Sequence, residues 1–452
     1  MKLNSFQKMM NRWSALGPYN AAQAMCVSGA PDVERWRAAI HAGVASVGLG
    51  PARITGDTVK FTPLTEISLK TTRDDLALEL ESQINLPFAA GDMPLRFTLV
   101  CQADRYWLLF VYDHWLADSW SIRQLIQICG LRYTGQNEAP QLRMSERDFR
   151  STFRHRLGFS PAITSLTTGL RQFIRHRRVW RMHINDPLNF STQILIRDFP
   201  DGLIERLAQY AKARECTVND LFLAASAAAL GRYYLTRYDM RQGRWPFYKT
   251  GLGIGAIVDI RARADRPLDD VFGLYLSFCT LVLKKPEACP FAELLEDVSQ
   301  HTRRFKSRDE GVKFFSSLDI AWMLWRLYDR THFLSPVFRS KNPDRGSSER
   351  RVARVQADFF RRNAHVMAGI SNVNLNDSWV YDRHRDVKNA LHILDYLRVS
   401  PAGPLSPMVF ALTTLGSKMS LCFTWRKTAL DRFQVERFVA DFIKTLKGLG
   451  TV

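Results

Sequence analysis

The sequence predicts an α/β protein built as two halves. Three observations lead there. The chain has 452 residues, more than one typical domain holds. Short apolar runs rich in branched and aromatic residues alternate with amphipathic helical stretches. No similarity recurs at a period of about 20 to 50 residues, which excludes a solenoid. The apolar fraction of 46% is ordinary for a globular protein and suffices for a sizeable core.

The first half, about residues 1–178, is expected to carry helices at 34–47 and 73–84, then a hairpin. The hairpin's second strand is the apolar run Trp107-Leu108-Leu109-Phe110-Val111-Tyr112, and a helix over 119–128 follows. The second half, about 179–452, opens with a strand at 191–197 and helices at 202–214 and 218–234. Strand-like runs come next at 253–259, 274–283, 365–373, 408–415 and 418–425, and a closing helix spans 430–449.

His114 and Asp118 fall where the Trp107–Tyr112 strand breaks into a helix. Loops held on rigid elements often carry chemistry, and neutral imidazole accepts a proton near neutral pH, as a general base must. His-x-x-x-Asp is a short pattern, and a buried structural histidine satisfies it equally well. Its surroundings carry the weight.

Those surroundings resemble, in order, the acyltransferase superfamily of peptide-synthetase condensation domains, plant-type CoA acyltransferases, wax-ester synthases and chloramphenicol acetyltransferase. The matching pieces begin with Ile84-Asn85-Leu86-Pro87-Phe88 and Met93-Pro94-Leu95-Arg96, followed by the break at Ala103-Asp104 and the His114 loop. They continue through Thr217–Ala225, Val258-Asp259-Ile260-Arg261, Phe272-Gly273-Leu274-Tyr275, Ile370-Ser371-Asn372-Val373 and the tail from Met408 to Leu446. The resemblance implies two chloramphenicol acetyltransferase-like halves forming a V-shaped pseudo-dimer around a central tunnel.

It also implies a mechanism. A thioester carbonyl is already electrophilic, so His114 need only take the proton from an attacking hydroxyl or amine. Meeting in one tunnel supplies much of the rate. Asp118, the motif's second residue, is expected to fix the loop by pairing with Arg261. Asp113, Ser119, Trp120, Ser371, Asn372 and Thr424 are candidates for the tunnel lining; Ser119, Trp120 and Thr424 are placed near the oxyanion region. The co-substrate is acyl-CoA or a phosphopantetheinyl thioester, with no permanently bound cofactor and no metal. Ester and amide products are both compatible with these residues.

Two positions depart from the family pattern. Asp113 stands where many condensation domains have a second histidine, and Ser119 where glycine usually follows the aspartate. The first argues against a standard peptide-synthetase domain and for a freestanding relative. The second implies either an altered turn or an ordinary one that needs no glycine. Both keep a non-catalytic carrier-binding module in view.

The formal charge of +19 calls for an anionic partner. Nucleic acid is disfavoured, because the chain lacks zinc-finger spacing, an RNA-binding aromatic motif and a lysine-rich tail. An acidic acyl or peptidyl carrier protein, or acyl-CoA, fits, with a small-molecule or lipid acceptor. An anionic membrane surface is the other candidate. It is suggested by the basic segment Leu170–Arg181 and the aromatic segment Leu318–Leu334, each of which reads more simply as an ordinary packed helix. That surface underlies the alternative reading of a peripheral-membrane lipid or wax-type O-acyltransferase. No apolar run reaches about 18 residues, and the N-terminus has no apolar signal core. Seven scattered cysteines without a Cys-x-x-Cys pair read as reduced thiols in a cytoplasmic protein. Residues 341–351 read as an exposed loop.

Overall fold

The computed structural model describes residues 1–136, 141–145, 149–157, 179–186, 188–235, 251–315, 318–319, 366–376, 391–404 and 406–449. Most of the segments 170–181 and 318–334 and all of 341–351 lie outside these residues.

The chain is a two-lobed α/β protein. In the first lobe, α1 (Ser5–Ser14), β1 (Asn20–Ser28) and α2 (Val33–Val47) lead into the hairpin of β2 (Ala52–Thr55) and β3 (Thr58–Phe61). Then come β4 (Leu69–Thr72), α3 (Leu76–Asn85), β5 (Leu95–Cys101), β6 (Arg105–Asp113) and α4 (Ser119–Tyr133). Asp32 caps α2 by accepting from the Arg35 backbone N–H, and Gly48 ends it at φ 77°, a conformation glycine adopts without a Cβ penalty. The helix expected from 73 starts at 76, because the Asp75 carboxylate takes the N–H groups of Ala77 and Leu78. Gly43 lets α2 lie close to α4, since a Cβ there would sit 2.6 Å from Cys129 Sγ.

A short strand β7 (Arg143–Met144) and the four-residue helices α5 (Phe149–Thr152) and α6 (Arg154–Leu157) follow. The second lobe holds β8 (Thr192–Asp198), α7 (Leu203–Ala213), α8 (Val218–Leu235) and β9 (Gly251–Asp259), then β10 (Val271–Phe272), β11 (Leu276–Lys284) and α9 (Phe291–Ser307). It ends with β12 (Ala368–Asn374), β13 (Ile393–Val399), β14 (Met408–Leu415), β15 (Lys418–Arg426) and α10 (Arg432–Leu449).

One five-stranded sheet has the order β13-β1-β6-β5-β4, and a six-stranded sheet the order β11-β9-β12-β14-β15-β8. The β5–β6 hairpin turns at Ala103-Asp104, closed by the bond from Gln102 N to Arg105 O. The strand at 393–399 was not expected from the sequence. It pairs antiparallel with β1, Gln23 facing Arg398, so it completes the first sheet although it follows most of the second. In space this strand crosses back from the later part of the chain to the first sheet.

Alternation along β1 sorts its side chains between two cores. Ala21, Met25 and Val27 face the cluster under α2 and α4. Ala22, Ala24 and Cys26 face a second cluster with Ile194, Ala411 and Cys422 of the other sheet. The small residues on that face bring the lobes together. A third cluster joins α7, α8, α9 and α10 to the six-stranded sheet.

Candidate active site

β6 is buried along nearly its whole length and ends at Asp113, which delivers His114 to the seam between the lobes. The loop after it is held from both sides. On the first-lobe side, the His114 N–H donates to Tyr19 O at 3.2 Å, and Gln7 of α1 donates to Trp115 O at 3.1 Å. On the second-lobe side, the Asp118 N–H donates to Gly273 O, and the Ser121 hydroxyl donates to the same carbonyl at 2.8 Å.

Asp118 is the N-cap of α4, accepting from Ser121 N at 2.8 Å. The same carboxylate accepts from Tyr275 N at 2.8 Å and from Arg261 Nη2 at 2.9 and 3.1 Å. Both partners of this ion pair are more than 90% buried. Arg261 also donates to Leu268 O, Val271 O and Ser121 Oγ, and its guanidinium lies 4.1 Å from the Trp120 ring centroid and 4.7 Å from that of Tyr275. The pairing expected between Asp118 and Arg261 is thus present, and the Trp120 ring is engaged by the arginine. Ser119 opens α4 with a negative φ. The turn is an ordinary cap that needs no glycine, because Asp118 occupies the extended conformation an N-cap requires.

The His114 ring is buried between Tyr19, at 5.7 Å between centroids, and Tyr112, edge-on at 5.9 Å. Burial drives its pKa down to about 4, so the imidazole is neutral at pH 7. The Ala117 backbone and the Asp118 carboxylate favour the protonated form only weakly against this. The Ala117 backbone lies near the ring, yet among the described residues no partner meets hydrogen-bond geometry at Nδ1, and the burial effect prevails.

The remaining candidates separate. The Asp113 carboxylate turns toward α1 and accepts from Ser14 Oγ at 2.6 Å. Burial raises its pKa to about 7, against the hydrogen bonds from Ser14 and Trp115 and the charge of Arg96. Ser119 and Ser371 are joined by Arg398, whose Nη1 donates to both hydroxyls, at 3.4 and 3.0 Å. Asn372 sits in the β12–β14 ladder opposite Leu412, and Thr424 in mid-β15 opposite Val409 and Ile194. Neither side chain has a hydrogen bond to the His114 loop among the described residues.

Sequence reasoning missed Gln23, Arg123 and Arg398. Gln23 donates to Ser119 O at 2.9 Å and accepts from the Tyr396 hydroxyl. Arg398 donates further to Ser371 O and Leu412 O, crossing the lobe boundary. The i, i+4 spacing of Ser119 and Arg123 on one face of α4 was the available signal. Nothing in the sequence showed that a strand at 393–399 would lie opposite it.

No family model matches the sequence, and no curated protein does. Solved structures do match in fold. The trichothecene 15-O-acetyltransferase from Fusarium sporotrichioides aligns over 99% of this chain and 94% of its own, at 10% identity and TM-score 0.68. The first condensation domain of the calcium-dependent antibiotic synthetase aligns over 99% and 96%, at 13% identity and TM-score 0.68. The condensation domain of the monacolin K polyketide synthase aligns over 100% and 97%, at 13% identity and TM-score 0.66. The chain therefore has the fold shared by condensation domains and this acetyltransferase.

Proposed function

We propose that this chain, carrying the condensation-domain and acyltransferase fold, moves an acyl group from a thioester donor to a hydroxyl or amine acceptor. The donor is acyl-CoA or a phosphopantetheinylated carrier protein, and His114 is the general base. The observation that carries the reading is a neutral, buried imidazole on a loop clamped by both lobes through the Asp118–Arg261 pair.

The acceptor oxygen or nitrogen attacks the thioester carbonyl while its proton passes to His114. The tetrahedral intermediate collapses, the C–S bond breaks, and the thiolate leaves with the proton returned by the imidazolium. Atoms balance without an acyl-enzyme, and holding both substrates in place supplies much of the rate. Asp118 and Arg261 act as positioning residues. Each is committed to the other and to backbone groups, and neither is asked to move a proton.

The reading is supported by the fold shared with condensation domains and with an acetyltransferase, two kinds of acyl-transferring protein. Acyl transfer should be followed by intact-mass and product analysis with a panel of acyl-CoA and acyl-carrier donors. Loss of the base should lower turnover by about 10²–10⁴-fold in His114→Ala with an unchanged circular dichroism spectrum. A folded His114→Ala protein with full turnover removes His114 from the chemistry.

A non-catalytic carrier-binding module is the second reading, favoured by Asp113 turning away to Ser14. It expects donor binding with no turnover of any donor. The residues that motivated a membrane-surface role lie for the most part outside the described structure. No described helix is long and apolar enough to cross a membrane.

A further inference from the structure

One residue beside the proposed site is not explained by acyl transfer alone. Arg123 projects from α4 and is about 95% buried, yet its Nε and Nη1 have no hydrogen-bond partner among the described residues. A native structure leaves few buried polar groups unpaired, and a guanidinium cannot relieve the cost by losing its proton.

No carboxylate forms an ion pair with Arg123 among the described residues. The electrostatic neighbours that would balance it are Asp118 and Asp259. Asp118 is spent on Arg261, and Asp259 is exposed and bonded to the Arg261 backbone N–H.

Arg398 repeats the pattern. It is 2% exposed, and its partners are the neutral groups of Ser119, Ser371, Leu412 and Thr413. Arg123 and Arg398 are within electrostatic reach of each other and of Tyr112. Tyr112 meets the His114 ring edge-on. Two buried positive charges that form no ion pair among the described residues therefore lie within electrostatic reach of the tyrosine that packs on the proposed base.

We propose that Arg123, assisted by Arg398, binds a carboxylate carried by one of the two substrates and so selects an acidic acyl chain or an acidic acceptor. The proposal rests on the acyl-transfer reading and names a substrate class for it. A carboxylate fits better than a phosphate, because Arg398 is already held by its neutral partners, leaving the single charge of Arg123 to pair with one planar, singly charged group. Bound there, it would supply a counter-charge at Arg123 and accept from one of the two unpaired nitrogens, Nε or Nη1.

The test is calorimetric binding to the whole protein with matched probes. For the acceptor, 3-hydroxybenzoate is compared with 3-hydroxybenzamide; for the donor, succinyl-CoA with butyryl-CoA. In one pair the acid should bind at least tenfold more tightly, and Arg123→Met should erase that preference. That pair names the substrate bearing the carboxylate.

Arg123→Met keeps the unbranched apolar stem while removing the charge, so its melting temperature should be equal to the wild type's or higher, which excludes misfolding as the cause. Arg123→Lys should restore part of the preference. Equal binding within both pairs overturns the proposal, as does a preference that survives Arg123→Met. Inorganic phosphate displacing the acid more effectively than acetate does overturns the choice of carboxylate. His114→Ala separates the two readings. It should keep the acid preference while losing turnover, whereas turnover without any acid preference would sink this inference alone.

Discussion

Replacing Asp118 by asparagine removes one negative charge from a buried pair and one of its two acceptor oxygens. Asparagine is as good an N-cap as aspartate, so the bond from Ser121 N survives. Its carbonyl oxygen, in the place of Oδ1, also keeps the Arg261 Nη2 contact, while its amide group takes the place of the oxygen that accepts from Tyr275 N. What is lost as well is the counter-charge to a guanidinium only 7% exposed. Breaking a buried pair from one side costs about 3–5 kcal/mol, because the other charge remains. Arg261 keeps its bonds to Leu268 O, Val271 O and Ser121 Oγ and its place over Trp120, which puts the cost near the lower end, about 3 kcal/mol. At about 2–4 °C per kcal/mol for units of about 200 residues, the melting temperature should fall by roughly 6–12 °C. Arg261→Met should do the same, and the double variant should cost much less than the sum. Thermal melts of the four proteins form a double-mutant cycle. Additivity within about 0.5 kcal/mol would refute the coupling on which the loop's rigidity is argued. Acyl transfer should fall in parallel with stability in each single variant, since the same bonds place His114.

Three further outcomes follow from the site. The folded His114 titrates near pH 4 against an ordinary 6.5, so the unfolded chain binds the extra proton between those values. Its contribution is fully present above pH 6.5 and is lost as the pH falls toward 4, by about 3 kcal/mol. Denaturant titrations from pH 7 to 4 should show a shallower decline in His114→Gln, and matching slopes would contradict the burial argument. Asp113 has the opposite sign, its folded pKa being raised to about 7, so stability falls as pH rises through that value. Asp113→Asn should keep the Ser14 contact and be the more stable protein at pH 8 by up to about 4 kcal/mol, and an unchanged or lower stability there would show that the carboxylate is better solvated than its burial implies. If the +19 charge steers an anionic donor, its association rate should drop as salt shortens the Debye length from about 10 Å at 0.1 M to about 3 Å at 1 M, and a salt-independent rate would leave the charge without that role.

The parts of the site legible in the sequence were those encoded locally. The strand into His114, the helix beginning at 119 and the hairpin at Ala103-Asp104 each follow from neighbouring residues. The Asp118–Arg261 contact spans 143 positions and was reached through the order of family-like segments, not from periodicity. Strand β1, Asn20-Ala21-Ala22-Gln23-Ala24-Met25-Cys26, escaped notice because small residues replace the branched ones that usually mark a strand. Those alanines are there because a second sheet packs on them. Strand 393–399 escaped for a related reason, since nothing local says which sheet a strand will join. With both strands missed, the Gln23–Arg398–Ser119 cluster between them was invisible.

The crossing strand also bears on how the molecule comes to be assembled. Tyr396 and Gln23 are hydrogen-bonded across 373 positions. While the chain emerges from the ribosome, β1 therefore waits as an open edge until nearly all of the second lobe has been synthesised. Open edges invite pairing with other chains, and contacts this distant in sequence slow folding. The two lobes are thus bound into one order of events. A fragment ending near residue 178 would expose the β1 ladder to its neighbours, and a nick before 393 would leave a segment free to bridge two molecules. The first sheet is complete only once residues 393–399 have arrived, long after the other strands of that sheet.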